Sequence, residues 1–282
     1  MTGSTDGLEP LLQRLDRIAD ALEGQRRKTA VDWDECIAFR WCGGRCEPVR
    51  HRHVIRLDDL HGIDAQKLLL AGNTARFVAG RPANHVLLTG ARGTGKSSLI
   101  KAVLEQHASE GLRLIEVDRE ELGQLPDIVD RVAGSPRRFI VYCDDLAFDA
   151  DEPGYRALKA VLDGSVAATG ERLLIYATSN RRHLMPEYQD DNLPAVRGGE
   201  IHPREAIEER VSLSERFGLW LSFHAFDQDE YLAIAAHWLR QLGWQGQAED
   251  WQAEALRWAL ARGARNGRVA AQFARDFCGR HG

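Results

Sequence analysis

Residues 90–98 read Gly90-Ala91-Arg92-Gly93-Thr94-Gly95-Lys96-Ser97-Ser98 and match every fixed position of the pattern G-x-x-x-x-G-K-[ST]. A candidate strand, His85 to Thr89, comes directly before this stretch, and a helical pattern, Leu99 to Gln106, follows it. Glycines let successive backbone N–H groups curve around an anion, and the N-terminus of the next helix adds its positive dipole end. The stretch therefore predicts a phosphate-binding loop rather than a chance run of glycines.

The side chains of this loop predict the ligands ATP and Mg²⁺. Lys96 is expected to reach the β- and γ-phosphates, and the Ser97 hydroxyl is expected to ligate Mg²⁺. The loop residues expected to contact the nucleotide are Gly90, Arg92, Gly93, Thr94, Gly95, Lys96, Ser97 and Ser98.

A second acidic element is expected at the end of another buried strand. The apolar run Phe139 to Cys143 is followed by Asp144 and Asp145. We expect Asp144 to hold Mg²⁺ through water and Asp145 to orient or deprotonate the attacking water. A solvated turn is the alternative interpretation of such a pair, and the preceding strand and phosphate loop argue against it.

Short apolar runs alternate with helical patterns through the middle of the chain. The candidate strands are His85 to Thr89, Leu112 to Val117, Phe139 to Cys143, Leu173 to Ala177 and Leu219 to Phe223. Such alternation predicts a parallel sheet covered on both faces. We expect the fourth strand to lie between the two motifs and to place Thr178 and Asn180 on one face, toward the γ-phosphate.

The two ends of the chain differ from this middle part. Residues 8 to 22 have apolar side chains at helical spacing, and residues 1 to 56 are interpreted as a partly helical N-terminal extension. After Phe226 three helical segments follow with no strand between them, which predicts an all-helical unit over 227–282. The nucleotide-binding core is then expected over 57–226.

Composition favours a globular protein of the cytoplasm. The chain of 282 residues is 44% apolar and 28% charged, and its five cysteines lack the spacing of a disulfide framework. No signal peptide or run of about 18 apolar residues is found, so no membrane segment is expected. The formal charge of -5 argues against bulk attraction to nucleic acid, although local basic patches stay open.

From Leu57 to Phe277 these motifs resemble the AAA+ ATPases, and more narrowly a bacterial family of predicted AAA+ ATPases of unknown function. The narrower likeness rests on stretches such as 57–64, 73–77, 176–184 and 212–220. The resemblance implies a five-stranded parallel αβα sandwich with a small helical lid. It also implies roles for five residues: adenine binding by Gly62 and Ile63, a first sensor at Asn180, an arginine finger at Arg216 and a second sensor at Arg268.

Two of these implied roles leave alternatives open. Arg265 competes with Arg268 as the second sensor, and Arg216 is also explained as a surface arginine before a strand. A finger arginine serves the nucleotide of a neighbouring subunit, so the resemblance implies a homo-oligomer.

The sequence departs from the AAA+ pattern in two places. Asp145 stands where these ATPases carry Glu, so its carboxylate is one C–C bond further from the water and fast hydrolysis is in doubt. The loop from Asp118 to Arg131 lacks the aromatic-hydrophobic-glycine trio that grips threaded polypeptide. The predicted function is an oligomeric ATPase that remodels an unidentified macromolecule; the alternatives are a slow ATP-dependent switch or scaffold and a DNA-associated helper ATPase.

Overall fold

The computed structural model describes residues 31–148, 153–164, 172–180 and 213–281. These residues form a seven-stranded sheet in which all neighbouring strands are parallel except β1 and β2. The strands in spatial order are β2 (Arg45–Pro48), β1 (Ala38–Cys42), β4 (Leu112–Val117), β5 (Arg138–Cys143), β6 (Leu173–Ser179), β3 (Val86–Gly90) and β7 (Leu219–Phe223). The helix predicted over 8–22 and most of the connection after Asn180 lie outside the described residues.

Helices cover both faces of the sheet, as predicted. Along β5, Ile140 and Tyr142 belong to one apolar cluster, and Phe139 and Val141 belong to the other, because successive side chains of a strand point to opposite faces. The helices that join the first cluster are α1 (Asp64–Val78) and α2 (Lys96–His107), and those that join the second are α3 (Leu125–Ala133) and α4 (Pro153–Leu162). The α/β sandwich is thereby confirmed.

Five of the seven strands are those predicted, but the sheet is wider than the sequence analysis expected. The extra pair is a hairpin, β1 and β2, built from the predicted extension. Gly43 and Gly44 form its two-residue turn, with φ of 55° and 78°. Positive φ at both central positions is what a tight hairpin of this kind requires. The predicted boundary at residue 56 stays a prediction.

The lid consists of three helices, α5 (Gln228–Gln241), α6 (Gln252–Ala261) and α7 (Gly267–His281). Buried side chains such as Tyr231, Ala255 and Phe273 join them, and the Tyr231 hydroxyl donates to the Ala255 carbonyl at 3.1 Å. Their cluster is continuous with the face of the sheet that α1 and α2 cover. Among the described helices, none has both the length and the apolar character that crossing a bilayer demands.

Candidate nucleotide site

Parallel strands bring the predicted motifs to one edge of the sheet. The order β5, β6, β3 places the ends of these strands side by side, with β6 between the two motifs as predicted. Asp144, Asn180 and Lys96 each follow one of these ends, and all three line a single cavity. This is the position where open α/β sheets hold their ligands.

Lys96 lies at the floor of this cavity and is only 6% exposed. Its ammonium donates to the carbonyls of Gly90 (2.6 Å) and Ala91 (2.8 Å) and to the Asn180 Oδ1 (3.0 Å). Burial lowers the pKa of Lys96, and the carboxylates of Asp144 and Asp145 offset part of that effect. The loop therefore holds a desolvated cation at the start of α2.

Ser97 and Asp144 meet directly. The Ser97 Oγ donates to the Asp144 Oδ1 at 3.0 Å, and the Thr178 hydroxyl donates to the same oxygen at 2.5 Å. Partial burial alone would raise the pKa of Asp144, but hydrogen bonds to its carboxylate, that of Thr178 foremost, outweigh burial and lower the pKa. An ionised carboxylate beside a hydroxyl is a suitable pair of oxygen ligands for Mg²⁺.

Asp145 is held from three sides in an unusual backbone conformation. Its φ is 51°, the only positive value among the described non-glycine residues. Its amide donates to the Thr178 Oγ1 at 2.9 Å, its Oδ1 accepts from the Asn180 Nδ2 at 2.6 Å, and its Oδ2 pairs with Arg92 at 3.1 Å. Backbone strain of this kind concentrates at functional sites.

The lid touches the phosphate loop. The amide of Gly267, at the start of α7, donates to the Gly93 carbonyl at 2.9 Å, and Asn266 caps this helix by accepting from the Val269 amide. Gly93 has a φ of 78°, and a Cβ there would come within 2.7 Å of Asn266. Only glycine permits so close an approach of loop and lid.

Arg268 lines the cavity, whereas Arg265 is not among the lining residues. The geometry therefore favours Arg268 over Arg265 at the position predicted for a second sensor.

The other end of the cavity is lined mostly by apolar side chains, with some polar and charged ones among them. Ile63 is 3% exposed and lines it, while the predicted neighbour Gly62 packs against the Phe226 ring. Sequence reasoning missed most of this end. The residues it missed are His53, Ile55, Asp59, Leu60, His61, Phe226, Ile234, Trp238, Ala271, Gln272 and Arg275.

A local signal existed for part of this set. Ile234 and Trp238 are four residues apart on α5, and Gln272 and Arg275 follow Arg268 on α7 at the same kind of spacing. Such spacing puts each group on one helix face, but it does not tell which face turns toward the loop.

The residues present fit an adenine nucleotide with Mg²⁺. The cavity has a volume of about 510 Å³, within the usual range for small-molecule sites. A cationic, glycine-rich loop forms one end and mostly apolar side chains form the other, which matches the polyphosphate and the base of such a ligand.

Arg216 is not part of this site. It lies directly before β7, and its Nε pairs with the Asp163 carboxylate after α4. Of the other predicted residues, Gly62 and Gly90 contribute contacts without lining the cavity; the remainder line it.

A family model described as "Protein of unknown function (DUF815)" matches residues 34–281. No curated protein matches the chain.

Solved structures give distant likenesses. The branch migration motor RuvB of Thermotoga maritima, whose title names the Holliday junction, matches with 14% identity and a TM-score of 0.45, over 77% of this chain and 70% of that one. The Orc1 protein of Aeropyrum pernix, solved in complex with DNA, matches with 17% identity and a TM-score of 0.48. The match covers 75% of this chain and 58% of that one.

Proposed function

We propose that this chain, which belongs to the DUF815 family, binds ATP with Mg²⁺ and hydrolyses the bond to the terminal phosphate. One observation carries the proposal: Lys96, the Ser97–Asp144 pair and the Asp145–Asn180 pair converge on one cavity that Arg268 of the lid also lines. Each group has a role in phosphoryl transfer.

The residues divide the work as follows. The backbone of the phosphate loop and the Lys96 ammonium hold the β- and γ-phosphates. Ser97 and Asp144 hold Mg²⁺, which supplies neutralisation of phosphate charge. Asp145 orients the attacking water and accepts its proton, and Asn180, tied to both Lys96 and Asp145, positions that carboxylate.

Arg216 supports the proposal of a homo-oligomer. Its guanidinium pairs with Asp163 and lies away from the cavity of its own chain. In the proposed assembly it serves the nucleotide of a neighbouring copy, where a guanidinium neutralises charge in the transition state. Remodelling of a macromolecular partner is the role that such an assembly would carry out.

One observation favours a slow switch or scaffold as the second candidate. The segment after β4 is fixed by the hairpin: Gly43 donates from its amide to Glu121 at 2.6 Å, and Trp41 donates to Gln124 at 2.8 Å. A segment held at two points is a poor grip for a moving polymer. These contacts argue against processive movement along a polymer, and Asp145 in place of Glu favours slow ATP hydrolysis.

The test measures ATP turnover against protein concentration for the wild type, Lys96→Ala and Arg216→Ala, and for a mixture of the two variants. A shared site predicts that specific activity rises with concentration and that the mixture regains activity that neither variant has alone. Arg81→Ala, at an exposed arginine, is the matched control and should behave like the wild type.

Activity that is flat with concentration, together with a silent Arg216→Ala, would remove the oligomer from the proposal. A rate on the order of 1 s⁻¹ or more would favour the remodelling ATPase over the switch.

A further inference from the structure

Arg92 is the loop residue that reaches furthest toward the catalytic carboxylate. It lies between Ala91 and Gly93 in the phosphate loop, lines the cavity, and pairs with the Asp145 Oδ2 at 3.1 Å. The other oxygen of that carboxylate accepts from the Asn180 Nδ2 at 2.6 Å. Both oxygens of Asp145 are therefore engaged by groups that also face the proposed phosphate position.

A polyphosphate on the loop competes with Asp145 for the same guanidinium. The phosphates carry several negative charges and offer Arg92 paired oxygens, which suit its planar fork, whereas Asp145 offers one oxygen. The Arg92 and Asp145 side chains are 74% and 50% exposed, so their ion pair is weak and easily exchanged. The balance of charge favours transfer of Arg92 to the phosphates.

We propose that Arg92 is a positioning residue that exchanges its partner from Asp145 to the nucleotide phosphates and so releases the catalytic carboxylate toward water only when nucleotide is bound. This inference rests on the proposed function and adds to it the coupling between binding and catalysis. The Asp145 Oδ1 then keeps its contact with Asn180, which holds the carboxylate in position. The Oδ2, released by Arg92, is available to accept a proton from water.

The experiment is a double-mutant cycle on the dissociation constant of a non-hydrolysable ATP analogue with Mg²⁺, measured by titration calorimetry on the full chain. The variants are Asp145→Asn, Arg92→Gln and the double variant. Asparagine is a suitable replacement for Asp145 because of the contacts of Asn180. The Asn180 Oδ1 accepts from Lys96, and its Nδ2 donates to residue 145. The new amide would therefore turn its NH₂ toward Arg92, and the tether would be lost.

Asp145→Asn removes a negative charge near the phosphates in either background, so it should tighten binding in both. Where residue 92 is arginine, Asp145→Asn also removes the Arg92–Asp145 ion pair, which nucleotide binding would otherwise have to break. We expect this extra factor to be about two- to fivefold, the range of exposed ion pairs. Equal factors in the two backgrounds would overturn the exchange.

Two further variants separate the possible failures. Arg92→Lys keeps the charge and should retain part of the extra factor, whereas Arg81→Gln, at an exposed arginine outside the site, should retain all of it. A wild type that binds the analogue no better than Lys96→Ala would instead reject the proposed function, and the exchange with it. Binding that depends on Lys96 without coupling between 92 and 145 rejects the exchange alone.

Discussion

Two polar clusters share the strand β6 and differ in almost every physical respect. The buried cluster joins α1 to the middle of the strand, and the cavity cluster lies at the carboxyl end of the same strand. The buried cluster consists of Asn73, Thr74 and Tyr176, and the cavity cluster consists of Lys96, Asp144, Asp145, Thr178 and Asn180.

The buried cluster is dry and fully paired. Asn73, Thr74 and Tyr176 are 0% exposed, and the Tyr176 hydroxyl contacts the Thr74 hydroxyl at 2.7 Å and accepts from Asn73 at 3.1 Å. The cavity cluster borders the open cavity, where the Asp145 side chain is 50% exposed, and it holds a residue at positive φ. Paired polar groups in a dry core fix the packing of a helix, whereas charged groups at an open edge are free to exchange partners for a ligand.

The largest expected effect tests whether the cavity cluster binds phosphate. Lys96→Ala removes the ammonium at the floor of the cavity, and we expect ATP affinity to fall by about 30-fold or more, since losing one partner of a buried, hydrogen-bonded charge pair costs about 2 to 5 kcal/mol. Titration calorimetry measures it. Lys101→Ala, at an exposed position of the same helix, is the control and should change affinity less than about twofold.

The next effect concerns pH and the opposite end of the sheet. The Nδ1 of His85 accepts from the Ile175 amide at 2.9 Å, and burial lowers the pKa of His85 to about 4. The unfolded chain has the ordinary pKa of about 6.5 and binds a proton first as the pH falls. The contribution of His85 to the free energy of unfolding is therefore fully present above about pH 6.5. It is lost as the pH falls toward 4, by up to about 3 kcal/mol.

Urea unfolding at pH 7, 6 and 5 checks this decline. His85→Gln, which does not titrate, should flatten the slope over this range, and His51→Gln, at an exposed histidine, should leave it unchanged. An unaltered slope in His85→Gln would place the titrating group elsewhere.

Tyr176→Phe, in the buried cluster, is expected to lower the free energy of unfolding without lowering ATP turnover. Removing the hydroxyl leaves the Thr74 hydroxyl and the Asn73 amide short of a buried partner, so the free energy of unfolding should fall by about 2 kcal/mol. ATP turnover at a temperature well below the midpoint should stay near the wild-type value. A large loss of turnover without a loss of stability would contradict the distinction between the clusters.

The smallest expected effect measures strain in the cavity cluster. Asp145→Ala and Asp145→Gly both lack the carboxylate, but only alanine has a Cβ that opposes a φ of 51°. The glycine variant should therefore be more stable than the alanine variant by about 1 kcal/mol. Equal thermal midpoints would mean that the backbone relaxes at this position and stores no strain.

The phosphate loop and the five predicted strands could be read from sequence because each is a local pattern. The apolar end of the cavity could not, because its walls come from residues as far apart as Leu60 and Trp238. The pairing of Arg92 with Asp145 joins positions 53 residues apart in different loops. No spacing rule links them, and only the strand order brings them together.

The hairpin was missed for a different reason. Its strands are short, with Arg40, Arg45 and Glu47 among apolar residues, and Gly43-Gly44 is equally typical of a loop. What stabilises the pair is tertiary: β1 lies along β4, where Arg40 forms an ion pair with Glu116.

The contact between β1 and β4 has a consequence for shortened forms of the protein. Arg113 of β4 is 6% exposed, and its side chain donates to the Trp33 carbonyl and to Asp34, so the start of the described chain is fastened beneath the same strand. A polypeptide beginning at Leu57 would leave β4 with a row of unpaired amides and carbonyls along an apolar edge. Such an edge is a template for self-association, so that fragment is expected to aggregate more readily than the whole chain.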